Sequence, residues 1–567
     1  MRTVFSLLLA VSPAFAQFHW IRLTSAHFEM YSTSDEKKSR DAILHFERVR
    51  EFFTQVSPAK TVNEFPTRIV AFKDPDAFRV YAPNKVAAAY FAAGAVRDSI
   101  VMEDPSPATY QVMIHEYVHL VIRHSGLRLP LWLNEGWAQV FQTLKPVKDG
   151  VAVGDLLPDH IKTLASGRWL SLAELDAVDT RSPNYNEASK AGMFYAESWA
   201  LAHMLYLSPD YKNGFGTFLA VLNKGRTLTE ALQIAFHKTQ TQVYADLQNY
   251  LSRKNLYGTV FLTPYEKSTE APVVSEVPAY ESNLMLADLH ASAHHVVEAG
   301  KLYQQLENQE PQRLDAFAGA GYLDVQMGDK DAARKDFGKA FALGSNDPQL
   351  CLQLATLDRA AKQPPAQVVQ ELERAIKLRP DFSDAIFDLA VVKVDMRDFE
   401  AATDLFGRVG TVAPERMALF RSALGYANLQ RGNLTMARTD AEASLRAAKN
   451  SQETQAAQRL LALIDARSKG PAAVLSGERV VRREGTAIGL RCVTPGSGAL
   501  SKMGIAIDGK QMLFDLPDAA AVEVVHAPGT PDLLKCGQLQ PFKLIVEYAP
   551  ASVANQESAG IVRRIEY

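Results

Sequence analysis

The pattern of apolar and polar positions divides the chain into stretches of different period. From Ala26 to about Leu251, short strands alternate with helical stretches: Phe28 to Tyr31, Thr67 to Phe72 and Ser99 to Met102 read as strands. Behind the start signal Ser106-Pro107-Ala108-Thr109, the residues Tyr110, Val112, Met113, Ile114, Val118 and Val121 have the spacing of a buried helix. Gly126 and Pro130 punctuate the chain, and a second helix is expected from about Leu131 to Leu144. This order predicts an α+β core over residues 17–262. The stretch from Lys267 to Val277 is polar and poorly periodic, so a linker is placed at 263–282.

From 283 to 467 the pattern repeats. Gly328-Asp329, Asp398-Phe399 and Gly432-Asn433 mark turns, each followed by an alanine-rich helix, and Pro348, Pro380 and Pro414 stand 32 and 34 residues apart. These features resemble tetratricopeptide repeats, which implies an α-helical solenoid with a concave surface for a protein or peptide partner. A spacer that only stabilises its neighbours is the plainer reading. After a linker at 468–476 the period drops to two. Asp508-Gly509 between apolar runs signals a hairpin, and a small β domain is expected over 477–567.

A 567-residue chain with 47% hydrophobic residues can bury several cores. A net charge of −3 gives no basic footprint for nucleic acid or an anionic membrane. Met1-Arg2, the apolar run Val4 to Val11 and Ala14-Phe15-Ala16 read as a secretory signal peptide, residues 1–16, cut after Ala16. No other apolar stretch reaches the roughly 18 residues of a membrane span. A secreted or periplasmic protein is therefore expected. Export makes a Cys492–Cys536 disulfide plausible against two separate thiols, whereas Cys351 reads as a core residue.

The chemistry sits in the first predicted buried helix. His115-Glu116-Tyr117-Val118-His119 places two imidazoles four residues apart on one helix face, where both can reach one metal ion, with Glu116 beside them. Leu131-Trp132-Leu133-Asn134-Glu135-Gly136-Trp137 follows, and Glu135 can close the site from the second helix. Ordinary helix histidines are the bland alternative, but two histidines with Glu116 and a downstream Glu135 favour metal binding.

These residues resemble the gluzincin peptidases, particularly the peptidase MA-like group and, more distantly, aminopeptidases in which a Trp-Leu-Asn-Glu-Gly sequence supplies the glutamate ligand. The resemblance covers about residues 26 to 255 and implies a zincin-like core in which His115, His119 and Glu135 bind Zn²⁺ and Glu116 serves as general base. It further implies that Tyr195, in Tyr195-Ala196-Glu197-Ser198-Trp199, stabilises an oxyanion, and that residues 188 to 207 wall the cleft. The strand Asp98 to Glu103 is expected to be the edge along which a peptide substrate pairs.

Two departures qualify the resemblance. Gln139 stands where many relatives carry an acid, and the Gly-x-Met-Glu-Asn stretch that captures a free amino terminus has no counterpart, Gly94-Ala95-Val96-Arg97-Asp98 being nearest. The expectation is thus an exported multidomain zinc metallopeptidase, an endopeptidase by preference. The alternatives are a catalytically silent peptidase-like scaffold acting through its repeats, and zinc-dependent hydrolysis of a non-peptide substrate.

Overall fold

The computed structural model describes residues 19–56, 66–83, 87–94, 97–253, 256–263, 270–468, 479–492, 500–516, 522–525, 541–551 and 558–567. The expected signal peptide, residues 1–16, and Cys536 lie outside them, and with Cys536 the expected disulfide. The described residues form two compact units, one ending at Asp336 and the other beginning at Phe337.

The first unit opens with β1 (Ile21–Thr24), β2 (Phe28–Ser32), α1 (Glu36–Val56), β3 (Thr67–Ala71), α2 (Pro75–Arg79), β4 (Ala89–Ala92) and β5 (Ser99–Met102). Then come α3 (Tyr110–His124), α4 (Leu131–Phe141), β6 (Lys145–Val147), β7 (Gly150–Val153), α5 (Pro158–Ser166), α6 (Leu172–Asp176), α7 (Pro183–Asn186) and α8 (Ala188–Leu207). It continues through α9 (Phe215–Asn223), α10 (Leu228–Phe236), α11 (Gln240–Leu251), β8 (Thr259–Phe261), β9 (Val273–Glu276), α12 (Ala279–Ser292), α13 (Val296–Gln309) and α14 (Leu314–Met327).

The main sheet runs β4-β5-β3-β2-β1-β9, with β2, β3 and β5 parallel and the outer pairs antiparallel. All four residues of β5 are buried, as a parallel strand covered on both faces requires. On one face, Ile43, Phe46, Val49 and Phe52 of α1 join Met113, Tyr117 and Leu120 of α3. On the other, Trp20, Phe72, Phe78 and Val101 meet Met285 and Leu289 of α12. Arg68 of β3 reaches Asp288 of α12 at 2.7 Å, and Arg22 of β1 reaches Glu281 at 2.9 Å. The first helix of the repeat region is therefore one layer of the N-terminal fold.

The structure departs from the sequence reading at three places. Ser99–Met102 is not an edge: β4 pairs antiparallel along it and is itself the outer strand among the described residues. An alanine-rich stretch from Ala87 to Ala93, without apolar alternation, hid that strand. Within the stretch read as a linker, Val273–Glu276 forms β9 and pairs with β1 from Ile21↔Glu276 to Thr24↔Val273. The second predicted helix also ends sooner, at Phe141.

The chain continues through α15 (Lys330–Ala342), which crosses the boundary, into the second unit. This contains α16 (Pro348–Ala360), α17 (Pro365–Leu378), α18 (Ser383–Asp395), α19 (Phe399–Arg408), α20 (Met417–Gln430), α21 (Leu434–Ala447) and α22 (Ser451–Ser468). Consecutive helices from α16 to α22 pack on one another around small buried residues such as Ala375, Ala385, Ala402, Ala427 and Ala437. Cys351 of α16 is a free, buried core residue, as expected. Turns with a left-handed residue recur at His294, Gly328, Lys362, Arg397 and Gly432, at intervals of 34, 34, 35 and 35 residues. Only two of these five are glycines, which is why composition displays the period imperfectly. The turn read at Asp398-Phe399 in fact bends at Arg397.

The unit closes with β10 (Val481–Cys492), β11 (Leu500–Ile507), β12 (Lys510–Asp515), β13 (Glu523–Val525), β14 (Phe542–Pro550) and β15 (Gly560–Glu566). The sheet runs β12-β11-β10-β14-β15-β13, and a further β12–β15 pairing closes its first five strands into a ring around Met503, Ile505, Phe514, Val546 and Ile565. The predicted hairpin is present, with Asp508 at φ 49° and Gly509 at φ 76° between β11 and β12, as a two-residue turn with both φ positive demands.

Candidate metal centre

Helix α3 carries His115, Glu116 and His119, and α4 carries Glu135. Helix α4 is seated closely on α8 at Gly136, where an added Cβ would stand 2.2 Å from the carbonyl oxygen of Ser198. Trp132, fully buried, donates through Nε1 to Asp176 of α6 at 3.1 Å and fixes the start of α4.

The three expected ligands converge. Nε2 of His115 and Nε2 of His119 lie 3.1 Å apart, and Oε2 of Glu135 is 3.4 and 3.6 Å from them. One donor atom from each falls within 4.8 Å of the others. Each histidine is held from behind: Nδ1 of His115 faces Oε1 of Gln142 at 3.2 Å, and Nδ1 of His119 faces Oδ1 of Asn134 at 2.9 Å. With those amide oxygens assigned as acceptors, the Nδ1 atoms carry the protons and both Nε2 lone pairs point at the carboxylate. Two lone pairs and an anion aimed at one point fit a cation, and two nitrogens with one carboxylate oxygen suit zinc. Bound there, zinc would supply Lewis-acid polarisation at a coordination position the protein leaves open.

Electrostatics sets the two carboxyls apart. Burial pushes the Glu116 carboxyl up to about 7; Glu135 adds to the rise, while His119 and the backbone N–H of Phe91 in β4 oppose it. Burial works on Glu135 in the same direction, but hydrogen bonding to His115, the charge of both histidines and a bond from Tyr185 hold it below the ordinary range. Gln139, buried, accepts from Nε2 of His160 in α5, whose pKa burial depresses to about 4. The departure noted at Gln139 is thus a neutral amide–imidazole pair.

Tyr195 lies on α8, and its ring packs tilted against that of Tyr185 at 5.9 Å. It is Tyr185, on α7, that reaches Oε1 of Glu135, at 3.2 Å. Sequence reasoning missed Tyr185, His160, Asn134 and Gln142. Asn134 and Gln142 stand at −1 and +7 from Glu135, and the spacing of about two helical turns puts Gln142 on the same face as Glu135; Tyr185 left no comparable trace.

No family model matches the chain. The human protein O-mannosyl-transferase TMTC3 is 25% identical over 217 residues, 37% of this chain and 23% of that protein. The match thus spans less than a quarter of the relative's length. Among solved structures, YrrB, "a TPR protein with an unusual peptide-binding site", shares 20% identity over 31% of this chain and 90% of its own, with a TM-score of 0.28. MamA shares 17% over 29% and 94%, TM-score 0.25, and pilF of Pseudomonas aeruginosa 16% over 34% and 86%, TM-score 0.26. What this chain itself displays in that region is an array of antiparallel helices with left-handed turns 34 or 35 residues apart.

These findings correct the enzymatic expectation. The similar proteins include a TPR protein and a protein O-mannosyl-transferase and none named as a peptidase, so the chain is not assigned as a zinc metallopeptidase. Among the described residues, no helix is long and apolar enough to cross a membrane.

Proposed function

We propose that this chain is a protein-binding scaffold, whose tetratricopeptide array takes up a protein or peptide segment and whose N-terminal fold carries a divalent-metal site of His115, His119 and Glu135. Zinc is the ion the donors favour. The observation that carries the binding reading is the run of helix pairs with left-handed turns every 34 or 35 residues, an architecture that presents a continuous inner surface to a partner. A cavity of about 400 Å³ supports it, lying between the end of β4 and helices α12 and α14. Ala92, Leu289 and Leu323 give it apolar walls, while Ser99, Asp288 and Gln326 supply polar groups, a mixture suited to one apolar side chain of an extended segment and its backbone. Glu116 and Tyr195 belong to the surroundings of the metal site in this reading.

The test is binding of fluorescently labelled unfolded casein and of arrayed short peptides to the full chain, measured by anisotropy. Saturable binding, weakened about tenfold by Ala93→Trp filling the cavity, is expected. Absence of binding to both probes counts against the scaffold.

A further inference from the structure

We infer that Tyr185 is the positioning residue of the His115, His119 and Glu135 site, dividing the two oxygens of Glu135 so that Oε2 alone serves the metal. The inference rests on the metal-binding reading above and goes beyond it in saying how the glutamate binds. The carboxylate is used asymmetrically: Oε1 accepts from the Tyr185 hydroxyl at 3.2 Å, while Oε2 faces Nε2 of His115 and His119 at 3.4 and 3.6 Å. The bond from Tyr185 takes one of the lone pairs of Oε1 and ties that oxygen to the Tyr185 side of the carboxyl, which leaves Oε2 the oxygen turned toward the two imidazoles. Burial of Glu135, 5% exposed, removes the water that would otherwise replace it.

Tyr185 is itself held in place. Its backbone N–H donates to Ser182 O at 3.0 Å, and its ring packs edge-on against Phe194 at 5.9 Å and tilted against Tyr195 at 5.9 Å. Tyr195 supports Tyr185 through its ring, which Tyr195→Phe would keep, and the Tyr185 hydroxyl is left to donate to Glu135. The two histidines are oriented by Gln142 and Asn134, and Tyr185 is the equivalent support for the third ligand. All three supports are neutral. The charge at the site therefore comes from the ligands and Glu116, and orientation comes from side chains that leave it unchanged.

The experiment titrates full-length wild type, Tyr185→Phe and Tyr195→Phe with zinc against a chromophoric chelator, alongside thermal melts. Tyr185→Phe is expected to bind zinc about tenfold more weakly while keeping a cooperative melting transition without metal, and Tyr195→Phe to bind like wild type. A folded Tyr185→Phe protein with wild-type zinc affinity would overturn the assignment. Wild type that takes up no zinc overturns the metal reading and this one with it. Zinc X-ray absorption of the wild type needs no variant: a monodentate carboxylate with oxygen at about 2.0 to 2.2 Å is expected, and a bidentate one overturns the proposal.

Discussion

A Cβ placed on Gly136 would stand 2.2 Å from the carbonyl oxygen of Ser198 and 2.7 Å from Cβ of Ala202. Backbone cannot swing aside as a side chain can, so α4 and α8 would have to part. Gly136→Ala is expected to cost about 2 to 3 kcal/mol in urea unfolding, and to weaken zinc uptake because Glu135 shifts with the helix. Unchanged stability would mean that the two helices sit less tightly than the structure has them.

Zinc should stabilise the protein through the site alone. At a free concentration near a hundred times its Kd, the ion adds about 2.7 kcal/mol and raises the melting temperature, and chelation reverses the rise. His119→Ala should abolish both the bound zinc and its thermal effect. Persistence of the effect in that variant would place the ion elsewhere.

Asp358 and Glu371 form a buried pair between α16 and α17, each 1% exposed, with Gln367 donating to both. Burial, then the bond to Asp358 and its charge, raise the Glu371 carboxyl to about 8. The folded state thus keeps a proton that the unfolded chain releases in the ordinary carboxyl range. Stability is greatest below that range and falls as pH climbs toward about 8, by up to roughly 1.4 kcal/mol per pH unit. Glu371→Gln should flatten this fall, leaving the variant the more stable protein at alkaline pH; parallel slopes in urea midpoints across pH would refute it.

Arg397 occupies the left-handed region, φ 62°, at a turn where its counterparts at 328 and 432 are glycines. A side chain there costs about 1 kcal/mol relative to glycine. Arg397→Gly, at an exposed position, should raise stability by somewhat less than that, since glycine also loosens the unfolded chain. A drop would show that Arg397 supports the turn through its side chain.

What could be read from the sequence was local. His115, His119 and Glu135 come together because helical spacing fixes the first two and a turn at Gly126 to Pro130 returns the third. Asp508-Gly509 announced its hairpin for the same reason, a turn type that admits few residues. The rest depended on partners distant in sequence. Tyr185 reaches Glu135 across 50 residues from a four-residue helix with no period to betray it, and Gln139 meets His160 across 21. β9 is half polar because it is an outer strand, and β4 is Ala89-Tyr90-Phe91-Ala92 inside an alanine-rich stretch, so neither displays the alternation that marks a strand. The left-handed turns at His294, Lys362 and Arg397 are imposed by packing of the helices on either side.

Helix α12 has two allegiances, since the residues that begin the repeat array also cover the sheet with Met285 and Leu289 and anchor it through Asp288 and Glu281. A gene broken ahead of Ala279 would release an N-terminal product with Trp20, Phe72 and Val101 laid bare and Arg68 stripped of its carboxylate. Such a product would aggregate. A cut that leaves the sheet covered therefore has to fall beyond Ser292, with the first repeat helix kept on the N-terminal piece.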